Sequence, residues 1–160
     1  MQQDLEEDQR VIQTAEDALA SKLAAVDAGY YKDPYLRHFG SPPSPKMQVI
    51  IKRGTFARVA CVSTIIRQFL AKFMSEERVQ IVILGAGKDT TFFRLMDSDL
   101  NEFSGPRPEA IRWVEVDHPH LVHKKVKIIE TKQRELGVEV GTIPAGGVLS
   151  ASPRNIEFYS

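Results

Sequence analysis

Hydrophobic positions recur along this chain with two different periods, and the changes from one to the other outline its architecture. Over residues 4–27, Ile12, Ala15, Leu19, Leu23 and Val26 return at steps of three and four with charged side chains between them. That spacing predicts an amphipathic helix, and the run Asp27-Ala28-Gly29 supplies its stop. A second helix is predicted over 55–73, where Phe56, Val59, Val62, Ile65, Ile66, Phe69 and Phe73 form a broad apolar stripe. The period then shortens. VQIVIL at 79–84 is brief, apolar on both faces and rich in β-branched residues, as suits a buried parallel strand. After the GAGKDT turn, TFFRLM at 91–96 can start a short helix, and IRWVEVD at 111–117 is the next strand. Pro119 suits the first turn of a helix, where its missing N–H costs little. That helix is predicted to reach about Leu136, with Leu121, Val122, Val126 and Ile129 inward and the lysines outward.

The connections are read from their composition. Residues 30–46 are rich in aromatics and then in prolines, and Pro42, Pro43 and Pro45 forbid a helix there. An extended link is expected. Residues 97–110 are polar and turn-rich, and 137–155 are rich in glycine, with one more short strand predicted near Ile156–Tyr159. Strands alternating with helices indicate an α/β class with a parallel sheet and right-handed crossovers. Only two strands are plain from the pattern, fewer than a full doubly wound sheet contains, so the chain reads as truncated. Residues 1–54 are expected to form an N-terminal helix and proline-rich connection, and 55–160 a partial α/β domain.

Composition narrows the function classes. The chain has 160 residues, 42% apolar and 26% charged, enough for one modest domain with a hydrophobic core. Lysine plus arginine (21) balances aspartate plus glutamate (21), which argues against a dedicated nucleic-acid binder. Cys61 stands alone, so no internal disulfide can form; its place on the predicted helix suggests a core or near-core residue. The acidic N-terminus is unlike a targeting segment, and no apolar run approaches a membrane span. A soluble, cytoplasmic protein without a membrane partner is expected.

The loop LGAGKDTT at 84–91 carries the candidate chemistry. A Walker loop requires Ser or Thr after its Gly-Lys, and Gly87-Lys88 is followed by Asp89. A dinucleotide fingerprint requires a third glycine where Thr90 stands. A methyl-donor site of the S-adenosylmethionine type needs no phosphate cradle. It needs glycines for close backbone approach and an acid after the second strand for two ribose hydroxyls, and Gly85, Gly87 and Asp117 occur in that order. The alternative is that the glycines only shape a tight turn and that Asp117 caps the helix beginning at Pro119. His118, His120 and His123 are crowded but lack the helical i, i+4 pair that zinc sites favour, so no metal site is expected. Trp113 is read as packing.

Larger phrases add to this reading. GYYKDPYLRHF (29–39), RGTFARV (53–59), VILGAGKDTTFFRL (82–95) and WVEVDHP (113–119) follow one another in that order. Together they resemble the leucine carboxyl methyltransferases, over roughly residues 20–136. The resemblance implies the N-terminal half of a Rossmann-like S-adenosylmethionine-dependent methyltransferase sheet preceded by two helices. It implies that Arg58 pairs with the donor's methionine carboxylate, that Gly85 is the first loop glycine at the donor, and that Asp117 binds the ribose. Lys22 matches a ligand-contacting lysine ahead of the GYYKDPY segment. The substrate implied is the C-terminal leucine carboxylate of the protein phosphatase 2A catalytic subunit. The family's later strands have no counterpart here, so a remnant without turnover is the alternative function. Arg58, without the resemblance, reads as a solvated charge on an amphipathic helix.

Overall fold

The computed structural model describes residues 2–40, 47–73, 75, 78–97, 108–140, 149–152 and 156–159. Helix α1 spans Gln2–Asp27 and buries Leu19 and Leu23 of the stripe that its periodicity marks, together with Ala24 and Ala25, while Ile12, Ala15 and Val26 are half-buried. Gly29 ends it at φ 77°, where a Cβ would be strained, while the Gly29 and Tyr30 amides donate back to the Val26 and Ala25 carbonyls. The segment expected to be extended instead folds tightly as far as Gly40. Buried Asp33 accepts the Tyr35 and Leu36 amides at 3.1 and 3.3 Å, starting a 3-10 turn at Leu36–His38 that drives Leu36 and Phe39 into the core. An aspartate that bonds its own chain two residues on is a turn former, and here it overrides the aromatic-rich composition. The three prolines lie outside the described residues.

Helix α2 (Val49–Lys72) begins before the expected start at Thr55. Gly54 sits inside the helix with nothing near its missing Cβ; its cost of about 1 kcal/mol is small for a helix supported by packing against α1. Next come β1 (Val79–Leu84), α3 (Thr91–Met96), β2 (Ile111–Val116), α4 (Pro119–Thr131), α5 (Gln133–Leu136), β3 (Glu139–Val140), β4 (Leu149–Ser152) and β5 (Ile156–Tyr159). They form a five-stranded sheet in the order β1-β2-β5-β4-β3. β1 pairs parallel with β2 from Val79↔Ile111 to Leu84↔Val116, and β2 pairs parallel with β5 from Trp113↔Ile156 to Val116↔Tyr159. β4 and β3 add antiparallel strands that the pattern did not predict. The fold is the Rossmann-like α/β class expected, with two helices ahead of a parallel β1-β2-β5 sheet.

One face of this sheet is the core. Val79, Ile81, Ile111, Trp113, Ile156 and Phe158 pack there with Phe39, Phe92, Phe93, Leu95 and Ile129. Two expectations about burial are corrected on the other side. The α2 stripe sinks into the core only in part: Ile66 joins it together with Leu70, whereas Ile65 is 64% exposed and Val62, Phe69 and Phe73 also face water. β1 is not buried on both faces, because it is the edge strand; Leu84 is 77% exposed and Val82 46%. Periodicity reveals an apolar stripe but not the layer that covers it. Cys61 likewise lies exposed on α2 instead of in or near the core.

Two substitutions on α2 should therefore behave oppositely. Leu70→Ala is expected to lower unfolding free energy by about 2–5 kcal/mol, and Ile65→Ala to change it by less than about 0.5 kcal/mol. Urea titration of both variants checks this. Equal losses would mean that the Ile65 face is covered in solution.

Candidate functional site

The site forms where β1 and β2 end side by side. In parallel α/β sheets the carboxyl ends of the strands open onto the ligand crevice. The Gly85 amide donates to the Val116 carbonyl at 2.8 Å, extending the β1–β2 ladder by one rung before the chain turns away. Gly85 (φ 67°) and Gly87 (φ 49°) take that turn in the left-handed region. Asp117 follows β2 immediately; its own amide bonds the Tyr159 carbonyl at 3.2 Å. Its carboxylate accepts the Gly87 amide through one oxygen and the His118 amide, at 2.6 Å, through the other. Asp117 therefore pins the glycine turn. It does not cap α4, whose N-cap is His118, with Nδ1 accepting the His120 amide at 3.4 Å.

Helix α1 closes the site from the other side. Lys22 Nζ lies 2.5 Å from Asp89 Oδ2, and Glu16 accepts from Lys88 at 2.5 Å and from Lys124 at 3.1 Å. A Cβ on Gly87 would stand 3.6 Å from that of Ala15, so helix and loop are nearly in contact. Between them lies a cavity of about 420 Å³. Lys22, Arg58, Gly85 and Asp117, the residues singled out from the sequence, all line it, together with Ala15 and Ala18 of α1. The Arg58 side chain is exposed and makes no hydrogen bond or ion pair among the described residues.

The electrostatics around the loop are unusual for their depth. Burial pushes the Asp89 carboxyl up, but the Lys22 and Lys125 ammonium groups outweigh it and hold Asp89 well below the usual carboxylate range. Burial also raises Glu16, and its bonds to Lys88 and Lys124 win there too, lowering it. Asp33 goes the other way: burial pushes it up to about 6, offset only in part by the Thr90 hydroxyl, 2.7 Å away, and the Arg94 guanidinium. Several of these groups escape a reading of pattern alone. Lys125, expected outward with the other lysines, is 2% exposed. It lies one helical turn from both Leu121 and Ile129, so its position marks it as inward even though its residue type does not. Glu115 alternates with Trp113 and Ile111 onto the buried face of β2, and Arg94 is buried in α3 with its NH2 2.6 Å from Ser63 Oγ. Among the described residues no group of His, Cys, Asp and Glu is arranged to hold a metal ion, and no helix is long and apolar enough to cross a membrane.

The cavity volume is within the ~300–1,000 Å³ of small-molecule sites. Its polar groups are the uncommitted Arg58 guanidinium, the Lys22 and Lys88 ammonium groups, the Thr14 hydroxyl, and the Asp89 and Asp117 carboxylates, of which Asp117 uses two of its roughly four acceptor positions. That set fits a ligand with a carboxylate at one end and paired hydroxyls at another. Sequence comparison gives the family: the family model described as Leucine carboxyl methyltransferase matches residues 10–147. The chain belongs to the leucine carboxyl methyltransferase family. It is 40% identical to Leucine carboxyl methyltransferase 1 of Bos taurus over 126 residues, covering 79% of this chain and 35% of that one. The Arabidopsis thaliana homolog is 38% identical over 141 residues, covering 86% and 40%. The Schizosaccharomyces pombe protein is 30% identical over 154 residues, covering 94% and 46%. The chain thus spans between about a third and a half of the length of these curated relatives. A methyltransferase family implies a methyl donor.

Asp33 makes the fold pH-dependent in a defined direction. Its folded pKa of about 6 lies above its unfolded value, so the folded state holds an extra proton between them. The stability that this group contributes is complete below about pH 4 and is lost as pH rises through about 6. Relative to wild type, Asp33→Asn should gain about 2–3 kcal/mol on going from pH 4 to pH 7. Urea melts at the two pH values measure the difference. A constant offset between the proteins would show that Asp33 ionises normally.

Proposed function

We propose that this chain is the donor-binding part of an S-adenosylmethionine-dependent carboxyl methyltransferase acting on the C-terminal leucine of the protein phosphatase 2A catalytic subunit. The observation that carries the reading is the convergence of Lys22, Arg58, Gly85 and Asp117, from separate segments of the chain, on one cavity. In this reading Arg58 grips the donor's carboxylate; a guanidinium can do so through two parallel bonds, which lysine cannot copy. Gly85 lets the ligand approach the backbone, Asp117 accepts from the ribose hydroxyls, and Lys22 adds positive charge beside the donor's carboxylate end.

S-adenosylmethionine supplies a methyl group already activated by its sulfonium. The accepting C-terminal carboxylate is ionised at neutral pH, so the reaction requires no general base. What this chain's residues contribute is orientation, which in favourable cases is worth up to about 7–11 kcal/mol. The polypeptide that presents the leucine is a separate matter. The open edge of β1 and the exposed Val62, Ile65, Val82 and Leu84 form the surface on which the remaining length found in the relatives would pack. Parallel sheets are normally covered on both faces, which supports this placement. The cytoplasm is the compartment proposed, matching the expected soluble phosphatase substrate.

Calorimetric titration with S-adenosylmethionine tests the donor reading. Arg58→Ala and Asp117→Ala should each weaken binding at least ~tenfold, the value of one charge-assisted bond, and Arg58→Lys should not restore it. Unchanged affinity in both alanine variants would rule out this site. Transfer of labelled methyl to the phosphatase tail, with and without the C-terminal portion of a relative, then tests the substrate.

A further inference from the structure

We propose that Lys125 is a positioning residue for the ligand loop, anchoring it through the backbone carbonyl of Asp89 while Glu115 holds the ammonium in place; its consequence for ligand affinity rests on the donor reading above. Lys125 reaches from α4 beneath the loop. Its Nζ is 2.6 Å from the Asp89 carbonyl oxygen and is hydrogen-bonded to Glu115 Oε2. Both side chains are nearly inaccessible, Lys125 at 2% and Glu115 at 1% exposure. The ammonium is flanked by the rings of Phe39 and Phe158, at 5.9 and 5.7 Å, and the second Glu115 oxygen accepts from Trp113 Nε1 at 3.2 Å. A dry ion pair of this kind contributes little net stability, and apolar residues of equal volume would often serve as well or better. What it supplies is a fixed point.

That point lies where the loop needs one. The Asp89 amide closes the turn onto the Ala86 carbonyl at 2.8 Å. The Asp89 carboxylate accepts from Lys22 Nζ at 2.5 Å and from the Thr91 amide at 2.8 Å. Asp89 is therefore held by its carbonyl from α4 and by its carboxylate from α1. The chain of contacts runs from Glu115 on β2 through Lys125 and Asp89 to Lys22, whose side chain lines the cavity. Gly85 is fixed by Val116, Gly87 by Asp117, Lys88 by Glu16 and the Thr90 hydroxyl by Asp33, while Lys125 is what holds the backbone carbonyl of Asp89. Releasing it would loosen the turn and the lysine together.

The test separates positioning from stability. Lys125→Met alone strands a buried carboxylate and should lower the melting temperature sharply. Adding Glu115→Gln removes that charge and should recover most of the loss. In the double variant, hydrogen exchange at the Gly87, Asp89 and Thr91 amides is expected to quicken about tenfold or more. Exchange at Ile81 and Trp113 should stay slow, and affinity for S-adenosylmethionine should remain about tenfold weaker despite the recovered melting temperature. Wild-type loop exchange in the double variant would overturn the proposal, as would faster loop exchange with wild-type affinity. A wild-type chain that binds no S-adenosylmethionine would defeat the donor reading, while loop exchange would still decide whether Lys125 is the anchor. Should the double variant fail to fold, Glu115→Gln alone decides. Its amide oxygen still accepts from Lys125, so loop protection should persist within about twofold, and its loss would count against the proposal.

Discussion

The parallel register of β1 on β2 is the constraint from which the site follows. With Leu84 opposite Val116, the chain leaves both strands at the same level, and Gly85 and Asp117 emerge as neighbours. The Asp117 carboxylate then needs only to span a short gap to meet the Gly87 amide. The same register places Trp113 and Glu115 on the buried face, within reach of Lys125. A slip of one residue would send both to the opposite face and bring the exposed Arg112 onto the core face. The loop would lose its pin and Lys125 its counter-ion at once. Loop geometry, buried charge and cavity thus share a single origin in strand pairing.

The distribution of polarity is inverted in two places. Beneath the loop the protein buries Lys125, Glu115, Asp33 and Arg94, while on α2 and β1 it leaves Ile65, Val82 and Leu84 in water. Neither arrangement is what stability alone would select. Buried charges demand complete pairing, and networks that satisfy them specify one geometry at some energetic cost. Their concentration around Asp89 and Thr90 fits a loop whose exact position matters. The exposed apolar surface lies at the sheet edge, in a chain that spans 35% of its bovine relative. Each inversion marks a different demand on the sequence, one set by the ligand loop and the other by what covers the edge.

Much of this was legible in the residues, for reasons that also explain the failures. α1, β1, β2 and α4 are long enough for a period to show, and it marks their inward faces except at Lys125 and on the outer side of β1. The phrases around Arg58, Gly85 and Asp117 indicated residues that the fold brings together at one cavity. β3 and β4, with two and four residues, are too short for any period; pairing alone defines them. For Lys125 residue type and position on the helix conflict, and position, one turn from Leu121 and Ile129, decides its burial. The burial of Asp33 leaves no local signal, because it depends on partners such as Thr90 and Arg94 that lie far away in sequence. The exposure of α2 could not be read at all, since a stripe carries no information about its occupant.

The two ends of the cavity differ in how far they are prepared. Gly85, Asp117 and Lys22 are held by the ladder, the loop amides and Asp89, so a ligand meeting them finds their geometry already set. Arg58 is exposed and carries a long side chain whose ordering costs up to about 2 kcal/mol of rotamer entropy. It also stands four residues before Val62 and seven before Ile65, on the same face of α2 as the uncovered apolar stripe. The uncovered face and the cavity therefore meet on one helix, with Arg58 lining the cavity and Val62 and Ile65 on the exposed stripe.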